Sequence, residues 1–183
     1  MSHGNAIRYR VPAIRERSRR TFTERLALRL PRLSSLYRAA LLRLPLRSRL
    51  RRELLARAIR DNAEARNRRD HEVLLLPFDP NVDFRAVGRT GANLEGRFHG
   101  REGAMRLLET IEEAWANGSF EPQEVIDFGR RQLVLIHSHA RGRGRDAEIE
   151  QHPAFLMIWR AGRIVRADYY LFQDQALEAT GLS

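Results

Sequence analysis

The stretch from about Asp127 to Leu182 constrains the fold more than any other part of the chain. It holds three long runs: Gln132-Leu-Val-Leu-Ile-His-Ser-His-Ala140, Pro153-Ala-Phe-Leu-Met-Ile-Trp159 and Ile164-Val-Arg-Ala-Asp-Tyr-Tyr-Leu-Phe172. All are rich in apolar, β-branched and aromatic residues, which suit a pleated, buried surface. With a feeding strand over 120–128 they predict a four-stranded antiparallel meander. Ala161-Gly162 is its tight hairpin turn, because glycine takes positive φ without a Cβ clash.

The residues before the meander read mainly as helix. Residues 1–13 show no periodicity and are expected to be a loose tail. Apolar residues at three- and four-residue steps predict helices over 14–29 and 34–44, with Pro31 and Pro45 as breaks. A longer helix runs over 49–68, with Ser48 as its cap. Asp70 is placed to cap a short helix over 71–76. Asp79-Pro80-Asn81 is a turn, since Asp bonds its own backbone and Pro presets φ. Strands are expected over 82–87 and 94–98, and a helix from Gly100 to Ala116 closed by Asn117-Gly118. A last helical turn covers 174–180. Helices and strands segregated in this order indicate α+β, with helices packed on a strongly curved mixed or antiparallel sheet.

Charge divides the chain. All 33 basic residues are Arg, and residues 1–70 hold 20 of them against 6 acidic residues. Residues 71–183 hold 13 against 17. An Arg-rich amphipathic helix pair fits an interfacial membrane contact or a nucleic-acid patch, or a solvated face over packed leucines. With no Cys, disulfides and thiolate chemistry are excluded. No run approaches the roughly 18 apolar residues of a membrane span, so a cytoplasmic protein is expected.

Period-two alternation sets Leu133, Leu135, His137 and His139 on one strand face, and Val134, Ile136, Ser138 and Ala140 on the other. Two histidines two apart suit general acid–base work or a metal pair, or a structural place at a pocket rim. No carboxylate or third histidine falls at a metal-ligand spacing, so no metal is expected; His99, Glu150 and His152 are spatial partners only if the fold brings them close. On the last strand Arg166, Asp168 and Tyr170 share a face. A carboxylate in an apolar pocket resists ionisation and can shuttle protons. Phe84, Phe98, Trp115, Phe155 and Trp159 are candidates for a pocket wall, or plain core. Arg141-Gly-Arg-Gly-Arg145 reads as a solvated loop.

Several stretches together resemble the SnoaL-like branch of the nuclear transport factor 2 and ketosteroid isomerase superfamily. They are Ala65-x-Asn67-x-x-Asp70, Asp79-Pro80-x-Val82-x-Phe84, Gly96-x-x-x-Gly100-Arg101-Glu102-Gly103, Gly162-x-Ile164-Val165-Arg166 and Ala176-Leu177-Glu178-Ala179-x-Gly181-Leu182. They span about 49–182, which divides the chain into an Arg-rich helical extension, 1–48, and a SnoaL-like domain, 49–183. The resemblance implies a cone-shaped α+β fold around a deep apolar pocket, three helices against the sheet, a small hydrophobic ligand and a homodimer. It also implies Asp168 as first choice for a catalytic carboxylate, with Tyr170 beside it as in an oxyanion hole. His137 and His139 complete the candidate set. Arg166-x-Asp168 is similar to part of the Asp-Arg-Asp arrangement of epoxide hydrolases of this fold, without its second Asp. Cofactor-free isomerase, cyclase or hydratase chemistry is one expectation. The alternative is a non-catalytic binding or dimeric module whose Arg-rich helices contact an acidic partner or a membrane, because this fold hosts both.

Overall fold

Apolar alternation and turn chemistry produce eight strands and six helices among the described residues, which in this computed structural model are 6–87, 96–142 and 148–182. The side chains of 112–117, 140–142 and 148–149 fall outside that description, as do residues 94–95 of the expected second strand and 143–147 of the Arg/Gly loop.

The elements are β1 (Ile7–Arg10), α1 (Phe22–Arg29), α2 (Pro31–Arg43), α3 (Arg49–Asn67), α4 (His71–Leu74), β2 (Phe78–Val87) and β3 (Gly96–His99). There follow α5 (Gly100–Ala114), β4 (Trp115–Asp127), β5 (Arg131–Gly142), β6 (Glu148–Gln151), β7 (Ala154–Arg160), β8 (Arg163–Tyr170) and α6 (Gln173–Thr180). One mixed sheet runs β1-β4-β5-β7-β8-β2-β3, with β6 added to β5. The expected meander is its centre: β4, β5, β7 and β8 pair antiparallel in turn. β2 joins β8 in parallel and carries β3 antiparallel on its other edge. Register shifts in β2–β8, β4–β5 and β7–β8 are the bulges that bend such a sheet.

Both faces of the centre are buried. Phe84, Val125, Val134, Ile136, Trp159 and Tyr169 pack on one side with Leu107 and Ile111 of α5. Leu133, Leu135, Ala154, Leu156 and Tyr170 pack on the other under Ala176 of α6.

The N-terminal segment differs from expectation at two points. Residues 7–10 form a strand instead of part of a loose tail, with Ile7 opposite Asp127 on β4. The first helix begins at Phe22, not near 14, because Thr21 and Glu24 close a capping box. Before it the chain is extended and tied down: Arg15 N–H and Arg17 reach Glu64, and Arg20 forks onto Asp70 at 2.7 and 2.8 Å. Asp70 also caps α4, as read, accepting from Val73 N–H. Ser48 caps α3 through Arg51 N–H.

One buried ion pair links α3 to β4. Arg51 is 1% and Asp127 0% exposed. The guanidinium forks onto the carboxylate at 2.8 and 3.0 Å and also donates to Leu42 O, Leu44 O and Gly129 O. It thereby fixes the C-terminal end of α2 to α3 and to the β4–β5 turn.

α2 also rests on the β7–β8 turn. Ala161 and Gly162 both have positive φ, as a tight hairpin requires. Gly162 lies directly under Ser35 and Ala39, and Arg38 Nε donates to Gly162 O at 2.9 Å.

Candidate functional site

A cavity of about 660 Å³ lies between the sheet and helices α1, α2 and α3. That is within the size range of sites for drug-sized ligands. Its sheet wall is Phe84, Val134, Ile136, Phe155, Met157 and Trp159; Leu26, Leu30, Leu33, Tyr37, Leu41 and Ile59 roof it. The lining is almost wholly apolar because the roof helices turn leucines toward strands that are themselves apolar.

A few polar groups interrupt this wall, at the end of the sheet where the β4–β5 and β7–β8 turns lie. Gln132 lines the cavity and is 0% exposed, yet neither its amide oxygen nor its amide nitrogen has a hydrogen-bond partner. Trp159 Nε1 is likewise buried without a partner. Leaving such groups unpaired costs roughly 1–3 kcal/mol each. Arg38 lines the same cavity, bonded to Gly162 O and Ser34 Oγ. Among the described residues no carboxylate pairs with it. Burial, reinforced by the charges of Arg163 and Arg101, pushes its guanidinium down to about 10. Arg66, also in the lining, sits 3.5 Å over the Phe120 ring.

The expected site residues divide sharply. Phe84, Phe155 and Trp159 line the cavity. Phe98 packs on the same core from β3 but does not line it, and the Trp115 side chain lies outside the described residues. His137, His139, Asp168 and Tyr170 are not in the lining. They lie on the opposite face of the sheet, because β5 and β8 turn Gln132, Val134, Ile136, Ala167 and Tyr169 inward.

Asp168 is 1% exposed but bound in ion pairs, to Arg166 at 2.6 Å and Arg85 at 3.2 Å. That hydrogen bond raises the Arg166 guanidinium. Tyr170, raised first by burial and then by the Asp168 charge, packs under α6. His137 Nε2 lies 2.6 Å from Glu150 Oε1, which holds the Glu150 carboxyl below its usual range. His137 and His139 are together, with ring centroids 4.2 Å apart, but they are far from forming one site with Asp168 at the cavity.

Sequence reasoning passed over Gln132, Arg38 and Arg66. Gln132 left a signal: it shares parity with Val134 and Ile136, an amide at the start of an otherwise apolar strand face. Arg38 left none among so many arginines.

An apolar cavity roofed by helices over a bent mixed sheet is the architecture of the nuclear transport factor 2-like fold. The SnoaL-like domain family matches residues 59–167, more than half of the 183-residue chain, and the chain belongs to that family. No curated protein matches the sequence significantly. A nuclear transport factor 2-like protein of unknown function from Burkholderia pseudomallei is similar in structure, with TM-score 0.57 and 22% identity over 67% of this chain and 93% of that one. TerC, co-crystallised with polyporic acid, gives 0.55 and 20% over 68% and 96%. A ketosteroid isomerase-like protein from Catenulispora acidiphila, in complex with trimethylamine, gives 0.52 and 16% over 66% and 89%. These likenesses concern the fold. Residues 1–58 precede the family match.

Proposed function

We propose that this protein binds a small, mainly apolar molecule with an acidic or hydrogen-bonding head. The observation that carries the reading is the polar end of the cavity: two unpartnered amide atoms of Gln132, an unpartnered Trp159 N–H and the carboxylate-free Arg38, set in an apolar wall. An acidic head would give Arg38 a counter-charge, and its oxygens would meet the free donors. The geometry supports binding over acid–base catalysis by Asp168, Tyr170, His137 and His139. The acidic residues that do line the cavity, Glu24 and Asp61, are paired with Arg68 and Arg60.

Naphthalene, 2-naphthol and 2-naphthoate test this, followed by tryptophan fluorescence and calorimetry. 2-Naphthoate is expected to bind most tightly. Arg38→Met is expected to weaken 2-naphthoate at least ~10-fold, about 1.4 kcal/mol, and to leave naphthalene unchanged. Gln132→Leu is expected to weaken 2-naphthol and strengthen naphthalene. Equal affinity for all three in wild type and variants would refute a recognised polar head.

A second reading rests on the outer side of the roof. Phe22 and Leu36 are 71% and 64% exposed, and Leu26, Leu30, Leu33 and Tyr37, which also line the cavity, are 43–58% exposed. Exposed Arg25, Arg29, Arg32 and Arg43 flank them, and the one acid of these helices, Glu24, is buried against Arg68. An apolar strip edged by arginine fits an anionic lipid surface, from which an apolar ligand would enter between the roof helices. Among the described residues no helix is long and apolar enough to cross a membrane, so the contact is peripheral. Sedimentation with phosphatidylserine vesicles is expected to capture the protein, less so in high salt. The double variant Leu33→Glu, Leu36→Glu is expected to stay in solution. Equal capture by DNA, or capture unaffected by the variant, would argue for a merely basic patch.

A further inference from the structure

On the face of the sheet turned away from the cavity, β5 and β6 assemble a second constellation. The strands pair antiparallel with His139 opposite Glu150 and Ser138 opposite Gln151. One step further along this register, His152 comes opposite His137. Period two then sets His137, His139, Glu150 and His152 on one face, at the corners of a cross-strand quadrilateral. Half of the chain's six histidines meet here.

The side chains converge as this placement requires. His137 Nε2 is 2.6 Å and His152 Nε2 3.6 Å from the same oxygen of Glu150. One ligand atom from each of the three lies within 4.8 Å of the others. The His137 ring stacks on His152 with centroids 5.0 Å apart and 12° between planes, and meets His139 edge-on at 4.2 Å. Bonds of about 2.0–2.2 Å from a tetrahedral zinc ion hold two donors roughly 3.3 Å apart. The 2.6 and 3.6 Å separations from Glu150 bracket that value.

We propose that His137, Glu150 and His152 bind one divalent transition-metal ion of the zinc class, with His139 at the fourth corner. Two imidazoles and a carboxylate are a donor set that zinc accepts with a coordination position left over. Imidazole nitrogen favours zinc, copper or nickel over magnesium or calcium, which prefer oxygen. The half-exposed His137 and the exposed Glu150 and His152 leave the ion an open approach. Bound there, it would pin β6 to the end of β5 independently of any ligand in the cavity.

The test uses the full chain without an affinity tag, stripped with chelator and titrated calorimetrically with zinc chloride. One ion per chain is expected, with affinity reduced at least ~10-fold, about 1.4 kcal/mol, in His137→Ala and in His152→Ala. Glu150→Gln is expected to weaken binding less, and His3→Ala, near the chain start, not at all. Magnesium chloride is expected to give no heat of binding. Cobalt(II) substitution is expected to give visible absorption of a low-coordinate nitrogen–oxygen site that disappears in His137→Ala. Zinc binding unchanged in His137→Ala and His152→Ala, zinc binding lost in His3→Ala alone, or an equal response to magnesium would each overturn the proposal. Because these side chains are at least partly exposed, the alanine variants are expected to keep wild-type circular dichroism; a variant that fails to fold is replaced by the isosteric His→Gln.

Discussion

The Asp127→Ala variant is expected to lose about 3–5 kcal/mol of stability, a fall in Tm of roughly 6–20 °C for a chain of this length. Truncating the carboxylate leaves the Arg51 guanidinium sealed inside the protein without its counter-charge. Three backbone carbonyls, Leu42 O, Leu44 O and Gly129 O, still accept from it but carry no full charge. Gly129 N–H, 2.9 Å from Asp127 Oδ1, loses its acceptor as well. Replacing both partners by apolar residues, Arg51→Met with Asp127→Leu, is expected to recover much of the loss, because no charge then remains buried. Urea and thermal unfolding of the two single variants and the double variant measure this. A loss under 1 kcal/mol in Asp127→Ala would show that solvent reaches Arg51.

Gly162→Ala is the second substitution with a large expected effect. At φ +75 any side chain is strained, typically by about 1–3 kcal/mol. A Cβ there would also run into Ser35 O and come within 2.8 Å of Ala39 N, both backbone atoms of α2. Neither can rotate away, so α2 must lift off the turn and take Arg38 with it. The expected results are a stability loss of about 2–4 kcal/mol, from strain and overpacking together, and faster proteolysis within α1 and α2. Weaker 2-naphthoate binding should accompany them. If proteolysis and ligand affinity both stay at wild-type levels, α2 does not close the cavity.

How much could be read from the sequence depended on how local the cause was. The meander, the Ala161-Gly162 turn and the Ser48 and Asp70 caps are set by neighbouring residues, and all are found where the sequence places them. β1 is a four-residue strand whose partner, residues 124–127 of β4, is very distant in sequence, and its own alternation is too short to register. Which strand face borders the cavity was left open for a different reason. Alternation correctly grouped Leu133 with His137 and Val134 with Ile136, but both faces of β5 are apolar because both are covered, one by the roof helices and one by α6. Nothing in the strand itself says which apolar face borders the cavity. Asp168 could be read either as a pocket carboxylate or as the ion-pair partner of Arg166; the ion pair is found, and Arg85, which joins it from β2, could not be foreseen. His152 and Glu150 were partners of His137 only if the fold brought them close, and the β5–β6 register does so.

Most of the cavity's roof precedes in sequence the sheet residues that support it. Arg38 and Gly162 are 124 residues apart, and Arg51 and Asp127 are 76 apart. At about 5–20 residues per second, α2 leaves the ribosome roughly 6–25 s before the turn it rests on. For that interval an arginine-edged, leucine-rich helix pair lacks the sheet turn on which it rests. In that interval the like charges of its arginines repel other copies and oppose association through the exposed leucines.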